Sequence, residues 1–328
     1  MRILFMGTPY LAAETLRAVR EKDGVTVVGV VTRPDKPKGR GMKLVPSPVK
    51  EYALANGIPV FQPKTLRDGA FRETLEALDP ELIVVAAYGN ILPPYVLDYP
   101  KYGCVNAHGS LLPEYRGAAP IERAIMDGKT VTGITAMYMD EGLDTGDMIA
   151  RYPCPIEDTD DGGTLTEKLA KLAGQAMCDV IDAIADGTVS RMPQPGEGST
   201  YAAKITPEDQ RVDFSKPART VFNQIRALNP SPSAETVMPD GSALKLTEAY
   251  PCEDGNPERA LPGTVLETVG KGAGRIFVAC GEGAVAVTGV IPAGKKRMTA
   301  GDFVRGRKIA PGDVLGVKPG DDPGHSEQ

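Results

Sequence analysis

An α/β fold is what this sequence predicts, with a mostly parallel sheet wound on both faces and a small β-barrel after it. Three observations carry that reading. Short aliphatic and β-branched runs alternate with helical stretches through the first half of the chain, the pattern of strand–helix–strand units. After Gly187 the pattern shifts to short β-like runs broken by Gly, Pro and Asp, which signals a barrel. A chain of 328 residues is also too long for one small core and points to two domains.

Each element has a local reason. Ile3 to Met6 is a short apolar run ending at Gly7, and Pro9 suits the first turn of a helix reaching about Lys22. Val25 to Val31 is almost continuously apolar, as a strand covered on both faces must be. Pro48 to Asn56 reads as a helix stopped by Gly57, and Phe71 to Leu78 as another. Leu82 to Ala87 and Gly103 to Ala107 are further buried strands, followed by a helix from Ala118 to Met126 that ends at Gly128. Ile134 to Met139 and Met148 to Tyr152 read as two more strands. Leu165 to Ile184 is a long amphipathic helix closed by Gly187. Arg191 to Thr200 has no periodicity and reads as a linker. Beyond it come a helix from Ala218 to Leu228 and β-like runs at Ala243 to Leu246, Gly263 to Leu266, Ile276 to Ala279 and Ala284 to Val290. The expected division is a first domain over 1–189, a linker over 190–206, a second domain over 207–318 and a disordered tail over 319–328.

Composition narrows the class. Apolar content of 41% and charged content of 24% suit a soluble globular protein. The apolar run at Leu82 to Ala87 is far short of the roughly 20 residues that cross a bilayer, and no signal-like stretch precedes Arg2 to Met6. The expectation is a cytoplasmic monomer with no membrane partner. Five widely spaced cysteines without a C-x-x-C pair argue against a zinc cluster or a disulfide framework. With His108 and His325 the only histidines, no metal is expected. A net charge of −6 argues against nucleic acid. Its distribution softens that, because Lys295, Lys296, Arg297, Arg305, Arg307 and Lys308 cluster in the second half. Nucleotide fingerprints fail: Gly128-Lys129-Thr130 has Arg123 where a phosphate loop needs glycine, and Gly39-Arg40-Gly41 lacks the third glycine of a dinucleotide motif.

The chemistry gathers around His108, in Asn106-Ala107-His108-Gly109-Ser110 at the end of a buried strand. Ligands of open parallel sheets bind outside the carboxyl ends of strands. Asn106 and His108 are two apart, so on an extended backbone they point the same way. An amide donor beside an imidazole suits a developing oxyanion. Asp144, in a glycine-punctuated loop expected at the same sheet edge, would orient the imidazole or help a proton leave. Residue chemistry leaves an alternative open, in which Asn106 caps a turn and Asp144 is an ordinary loop aspartate.

Longer words resolve that choice. Asn106-Ala107-His108-Gly109-Ser110-Leu111-Leu112-Pro113, followed by Tyr115-Arg116-Gly117-Ala118-Ala119-Pro120, resembles the signature of the folate-dependent formyltransferases. Gly142-Leu143-Asp144-Thr145-Gly146-Asp147 is similar to that family's second signature, and Ala87-Tyr88-Gly89-Asn90-Ile91-Leu92-Pro93 to its folate-side loop. The resemblance covers nearly the whole chain except the tail. It implies a Rossmann-like catalytic domain followed by an OB-like barrel, and Asn106, His108 and Asp144 as the catalytic set. It also implies that 10-formyltetrahydrofolate lies along Ser110, Leu111, Leu112 and Pro113 and along Tyr88, Gly89, Asn90, Ile91 and Leu92. The implied acceptor is the amine of initiator methionyl-tRNA, with tetrahydrofolate as the other product. Arg33, Lys36, Lys38, Arg40 and Lys43 form a basic loop with a counterpart in the family members that act on this tRNA. With Lys295, Lys296 and Arg297 they are the expected RNA contacts. One departure is Ser231 in Asn229-Pro230-Ser231-Pro232, where tryptophan is common in the family. Rival readings are formyl transfer to an aminosugar nucleotide or a ribonucleotide amine, formyl-folate hydrolysis, and an RNA-binding module with a decayed catalytic domain.

Arg40→Ala is expected to raise the apparent KM for tRNA and to flatten its salt dependence while folate binding stays put, which steady-state assays across a salt series will read.

Overall fold

A computed structural model describes residues 1–38, 43–256, 259–306 and 308–316. Arg40, Arg307 and the tail 319–328 lie outside the described residues. The chain divides into two compact units. The first comprises Met1–Pro120, Val131–Ile156 and Leu165–Ala203; the second comprises Ile121–Thr130, Glu157–Thr164 and the chain from Lys204 onward.

The chain to Ala202 forms β1 (Arg2–Gly7), α1 (Tyr10–Glu21), β2 (Thr26–Val31), β3 (Lys36–Lys38), β4 (Lys43–Val45), α2 (Pro48–Ala55), β5 (Val60–Phe61), α3 (Arg72–Leu78), β6 (Leu82–Ala86), α4 (Pro94–Leu97), β7 (Cys104–His108), β8 (Arg116–Gly117), α5 (Pro120–Met126), β9 (Val131–Tyr138), β10 (Met148–Pro155), α6 (Gly162–Ala185) and β11 (Tyr201–Ala202). Seven strands make one sheet in the order β10-β9-β7-β6-β1-β2-β5. All neighbours from β5 to β7 run parallel, while β9 is antiparallel to β7 and β10 to β9. Ile3, Leu4, Phe5 and Met6 are fully buried, because β1 lies mid-sheet with layers on both faces. The chain leaves β1 for β2 and β5 on one side, then returns to β6 on the other. The strand order therefore reverses between β1 and β6, where open α/β sheets hold ligands. Local signals agree at helix entries: Ser47 caps α2 by accepting the Lys50 N–H at 3.1 Å, with Pro48 as the first helical residue.

The second unit holds α7 (Pro207–Gln210), α8 (Ala218–Ala227), β12 (Ala234–Val237), β13 (Ala243–Cys252), β14 (Val265–Val269), β15 (Arg275–Ala279), β16 (Ala284–Pro292), β17 (Met298–Thr299) and α9 (Ala300–Arg305). Its six strands pair antiparallel in the order β12-β13-β16-β15-β14, with β17 on β16. Val221, Phe222 and Ile225 of α8 share its core with Leu244, Leu246, Val278 and Val287.

Several expectations needed revision. The run expected at Ala243 to Leu246 extends to Cys252, because irregular register around Glu248 breaks the period-two pattern the eye follows. The β3–β4 hairpin hides behind its lysines and Pro37. The segment expected as a linker is bonded to the first unit. Met192 bridges Met148, β11 pairs with β8, and the unit runs to Ala203.

In the second unit Arg123 grips Asp209 through two bonds, 2.8 and 2.6 Å. The guanidinium holds the Asp209 carboxyl below its ordinary value of 3.8. A carboxyl depressed in the folded state stabilises above its unfolded pKa and loses that contribution as pH falls through the folded value. The stability difference between wild type and Asp209→Asn should therefore be steady from pH 7 to about 5 and shrink as pH drops below about 4, read by chemical unfolding at each pH.

Candidate functional site

β7 supplies two of the expected residues. Every residue from Cys104 to His108 is buried, with Asn106 8% and His108 5% exposed. Two strand positions put their side chains on one face, about 7 Å apart along the chain. His108 Nε2–H donates to the Tyr115 carbonyl at 2.9 Å. A carbonyl can only accept, so Nε2 carries the ring proton. Nδ1 faces the Asp144 carboxylate, with Oδ2 at 3.6 Å. That is long for a hydrogen bond and close enough for an ion pair once the ring gains a second proton. The same Oδ2 accepts the Gly117 N–H at 2.8 Å. The Asn106 side chain has no hydrogen-bond partner in the protein among the described residues, so its amide is open to a ligand.

The route by which Asp144 arrives corrects one expectation. Its loop was expected at the carboxyl edge of β7. β9 is antiparallel to β7, however, and Tyr138 pairs with Val105, so β9 ends beside the start of β7. The loop 139–147 must fold back to reach His108. Its ends are joined by the Tyr138 N–H on the Asp147 carbonyl at 2.8 Å, in the manner of an Ω-loop. Asp140 organises the near side, accepting the Gly142 N–H at 3.0 Å and the Thr145 hydroxyl at 2.8 Å. At Gly142 an added Cβ would lie 1.9 Å from the Thr145 Oγ1, so a side chain there would force that hydroxyl off Asp140.

The residues expected along folate divide by exposure. Gly89, Asn90 and Ile91 are exposed in the loop after β6, while Tyr88 and Leu92 anchor it from the core at 2% and 1% exposure. A cavity of about 270 Å³ beside this loop is lined by Arg67, Ile91, Leu92, Pro93, Pro94 and Glu141. Ser110 and Leu112 are wholly buried. The Ser110 hydroxyl donates to the Glu114 carbonyl at 2.6 Å, and the Leu112 N–H donates to the Thr135 Oγ1 at 3.0 Å. These two hold the turn in shape, which leaves Leu111 and Pro113, both half-buried, as its accessible members.

The expected RNA contacts also divide. Lys36 is exposed at the start of the β3–β4 hairpin, with Lys38 and Lys43 at its inner ends. Arg33 is turned elsewhere: it donates to the Gly89 carbonyl and to the Asn90 side chain. Sequence reasoning did not foresee that tie between the basic segment and the loop after β6. In the second unit Lys295, Lys296 and Arg297 are exposed between β16 and β17, with Arg297 in a surface pair with Glu248 at 3.3 Å. Sequence reasoning also missed Gln194. A polar residue in a Pro- and Gly-rich stretch gives no periodic signal.

Together these features define an enzyme of carbonyl chemistry: an open amide, an imidazole and a carboxylate gathered on one α/β sheet. Residues 1–181 match the family model described as formyl transferase, and residues 204–308 match that of the formyl transferase C-terminal domain. The chain belongs to the formyl transferase family. It is 49% identical over 316 residues to the methionyl-tRNA formyltransferase of Bacillus licheniformis, covering 96% of this chain and 98% of that one. Among solved structures, HypX from Aquifex aeolicus in complex with tetrahydrofolic acid superposes with TM-score 0.63 at 19% identity. The match covers 93% of this chain and 47% of HypX, so this chain spans about half of that longer protein. The methionyl-tRNA formyltransferase of Clostridium thermocellum gives 0.54 at 19% identity, over 76% of this chain and 93% of that one.

Because no described residue bonds to the Asn106 amide, Asn106→Ala should change unfolding free energy by less than about 1 kcal/mol while lowering formyl-transfer turnover about 10²- to 10³-fold. Denaturant unfolding and steady-state kinetics on the same sample check both halves.

Proposed function

We propose that this protein transfers the formyl group of 10-formyltetrahydrofolate to the α-amine of initiator methionyl-tRNA, giving N-formylmethionyl-tRNA for translation initiation in the cytoplasm. The observation that carries the reading is the likeness to a methionyl-tRNA formyltransferase across both units at 49% identity. Relatives sharing only the sheet would support a formyl-transfer reaction without naming the acceptor. The first unit would carry the chemistry and the second would hold RNA. The exposed Lys36 of the β3–β4 hairpin and the exposed Lys295 and Lys296 between β16 and β17 suit phosphate contact.

In this reading the neutral α-amine attacks the formyl carbon, forming the new N–C bond and a tetrahedral oxyanion. Asn106 is the donor that can meet that oxyanion without rearrangement. His108 was expected to donate there too, but both its ring nitrogens already face protein acceptors. The imidazole and Asp144 are then better placed to move the proton. The amine's proton passes through water to Nδ1 of His108, and the charged ring has an acceptor for each N–H, Tyr115 O and Asp144 Oδ2. Collapse of the intermediate breaks the bond to N10, which takes the proton and leaves as tetrahydrofolate. The exposed Gly89–Ile91 loop and its adjoining cavity suit a flat folate ring system, and no metal is called for.

The decisive assay offers formyl-folate with initiator methionyl-tRNA, elongator methionyl-tRNA, free methionine or water alone. The initiator should acquire the formyl group fastest, by at least about tenfold in kcat/KM. Equal rates on all acceptors, or release of formate without an amine, would reject the assignment.

A further inference from the structure

The residues flanking His108 have an unusual backbone. Tyr115, whose carbonyl accepts from Nε2, has φ +57°, and Asp144, whose carboxylate faces Nδ1, has φ +52°. Side chains other than glycine rarely adopt that left-handed region, and surrounding contacts must hold them there. One segment reaches both. The Thr200 hydroxyl accepts the Tyr115 N–H at 2.8 Å, and the Thr200 carbonyl accepts the Arg116 N–H at 2.9 Å. On the other flank, Gln194 Nε2 donates to the Asp144 carbonyl at 2.8 Å and to the Gly146 carbonyl at 2.9 Å. The amide cannot turn over, because Oε1 accepts from Arg116 Nε at 3.1 Å and Nη2 at 2.6 Å. Both amide N–H groups are thereby committed to the loop that had to fold back across the sheet.

We propose that Gln194 is a positioning residue for formyl transfer: it pins the backbone at Asp144 and Gly146, and so sets the approach of the Asp144 carboxylate to the His108 ring. Arg116 acts one step further out by fixing which end of the amide meets the loop. Gln194 reaches neither substrate in this account; it acts through Asp144. The inference rests on the formyl-transfer reading for its kinetic consequence and on geometry alone for its effect on the imidazole.

Gln194→Glu separates positioning from mere bracing. A carboxylate keeps acceptors for Arg116, so the segment stays anchored, but it has no N–H for the two loop carbonyls. Misplacing a catalytic group by about 1 Å costs on the order of 10²-fold. Turnover of Gln194→Glu should therefore fall by about that factor, with KM for formyl-folate and for methionyl-tRNA within about threefold of wild type. Gln194→Ala should behave alike, and the unfolding temperature of Gln194→Glu should stay near wild type. If Gln194 acts only through Asp144, the double variant Asp144→Asn/Gln194→Glu should be no slower than Asp144→Asn by more than about threefold. A second readout needs no substrate. With only two histidines in the chain, the ring NMR signals of His108 are assignable against His108→Ala. At fixed pH they should shift in Gln194→Ala, which adds no charge, in the direction seen in Asp144→Asn. Turnover within twofold of wild type, fully multiplying losses, or unmoved ring signals would each overturn the proposal. A wild-type protein that fails to formylate methionyl-tRNA would instead overturn the functional reading, and the ring signals alone would then decide the role of Gln194.

Discussion

The site depends on one carboxylate being held from two directions. Asp144 Oδ2 takes the Gly117 N–H at 2.8 Å and stands 3.6 Å from His108 Nδ1. The first contact gives a largely buried anion a proper hydrogen bond, without which its desolvation would be costly. The second couples it to the only histidine of the sheet. Because β9 runs antiparallel to β7, the chain does not deliver Asp144 to this spot by strand geometry. It arrives on a folded-back loop, and loops of that kind need contacts from outside themselves. Left-handed backbone at Asp144 and Tyr115 shows the same demand, since such conformations cost of order 1–3 kcal/mol each unless the surroundings over-determine them.

The layout also links two surfaces that look separate in sequence. Arg33 opens the basic segment, yet its guanidinium rests on the Gly89 carbonyl and Asn90 in the loop after β6. Lys50 and Gln62 tie Asp35, two residues further on, at 2.7 and 2.8 Å. The hairpin that would approach RNA therefore stands on a polar base shared with the loop that would face folate. Under the proposed function that shared base would keep donor and acceptor side by side, which matters where much of the barrier is lost freedom of approach.

Much of this was legible beforehand, for identifiable reasons. The buried strands announce themselves through continuous aliphatic runs such as Leu82–Ala86, and helix ends through glycine and proline. Asn106 and His108 share a face because a strand has period two, and that needs no tertiary information. What stayed hidden depends on contacts between distant residues. Ser110 and Leu112 stand in the signature as expected ligand contacts, and their full burial could not be read from it. Arg33 reads as one more loop cation. Gln194 and Thr200 lie in a stretch whose composition says linker, and only tertiary contacts, such as the pairing of β11 with β8 and the Gln194 bonds to Asp144, show it lying against the site. Edge pairings of two residues leave no periodic trace.

In the proposed reaction the Asn106 amide would receive the carbonyl oxygen while Asp144 keeps its contacts with Gly117 and His108. A crystal structure with a stable formyl-folate analogue tests it directly. The formyl oxygen should sit about 3 Å from Asn106 Nδ2, with the Asp144–Gly117 bond intact and the imidazole still between Tyr115 and Asp144. A formyl group bound away from Asn106, or a carboxylate released from Gly117 and turned from the ring, would contradict it.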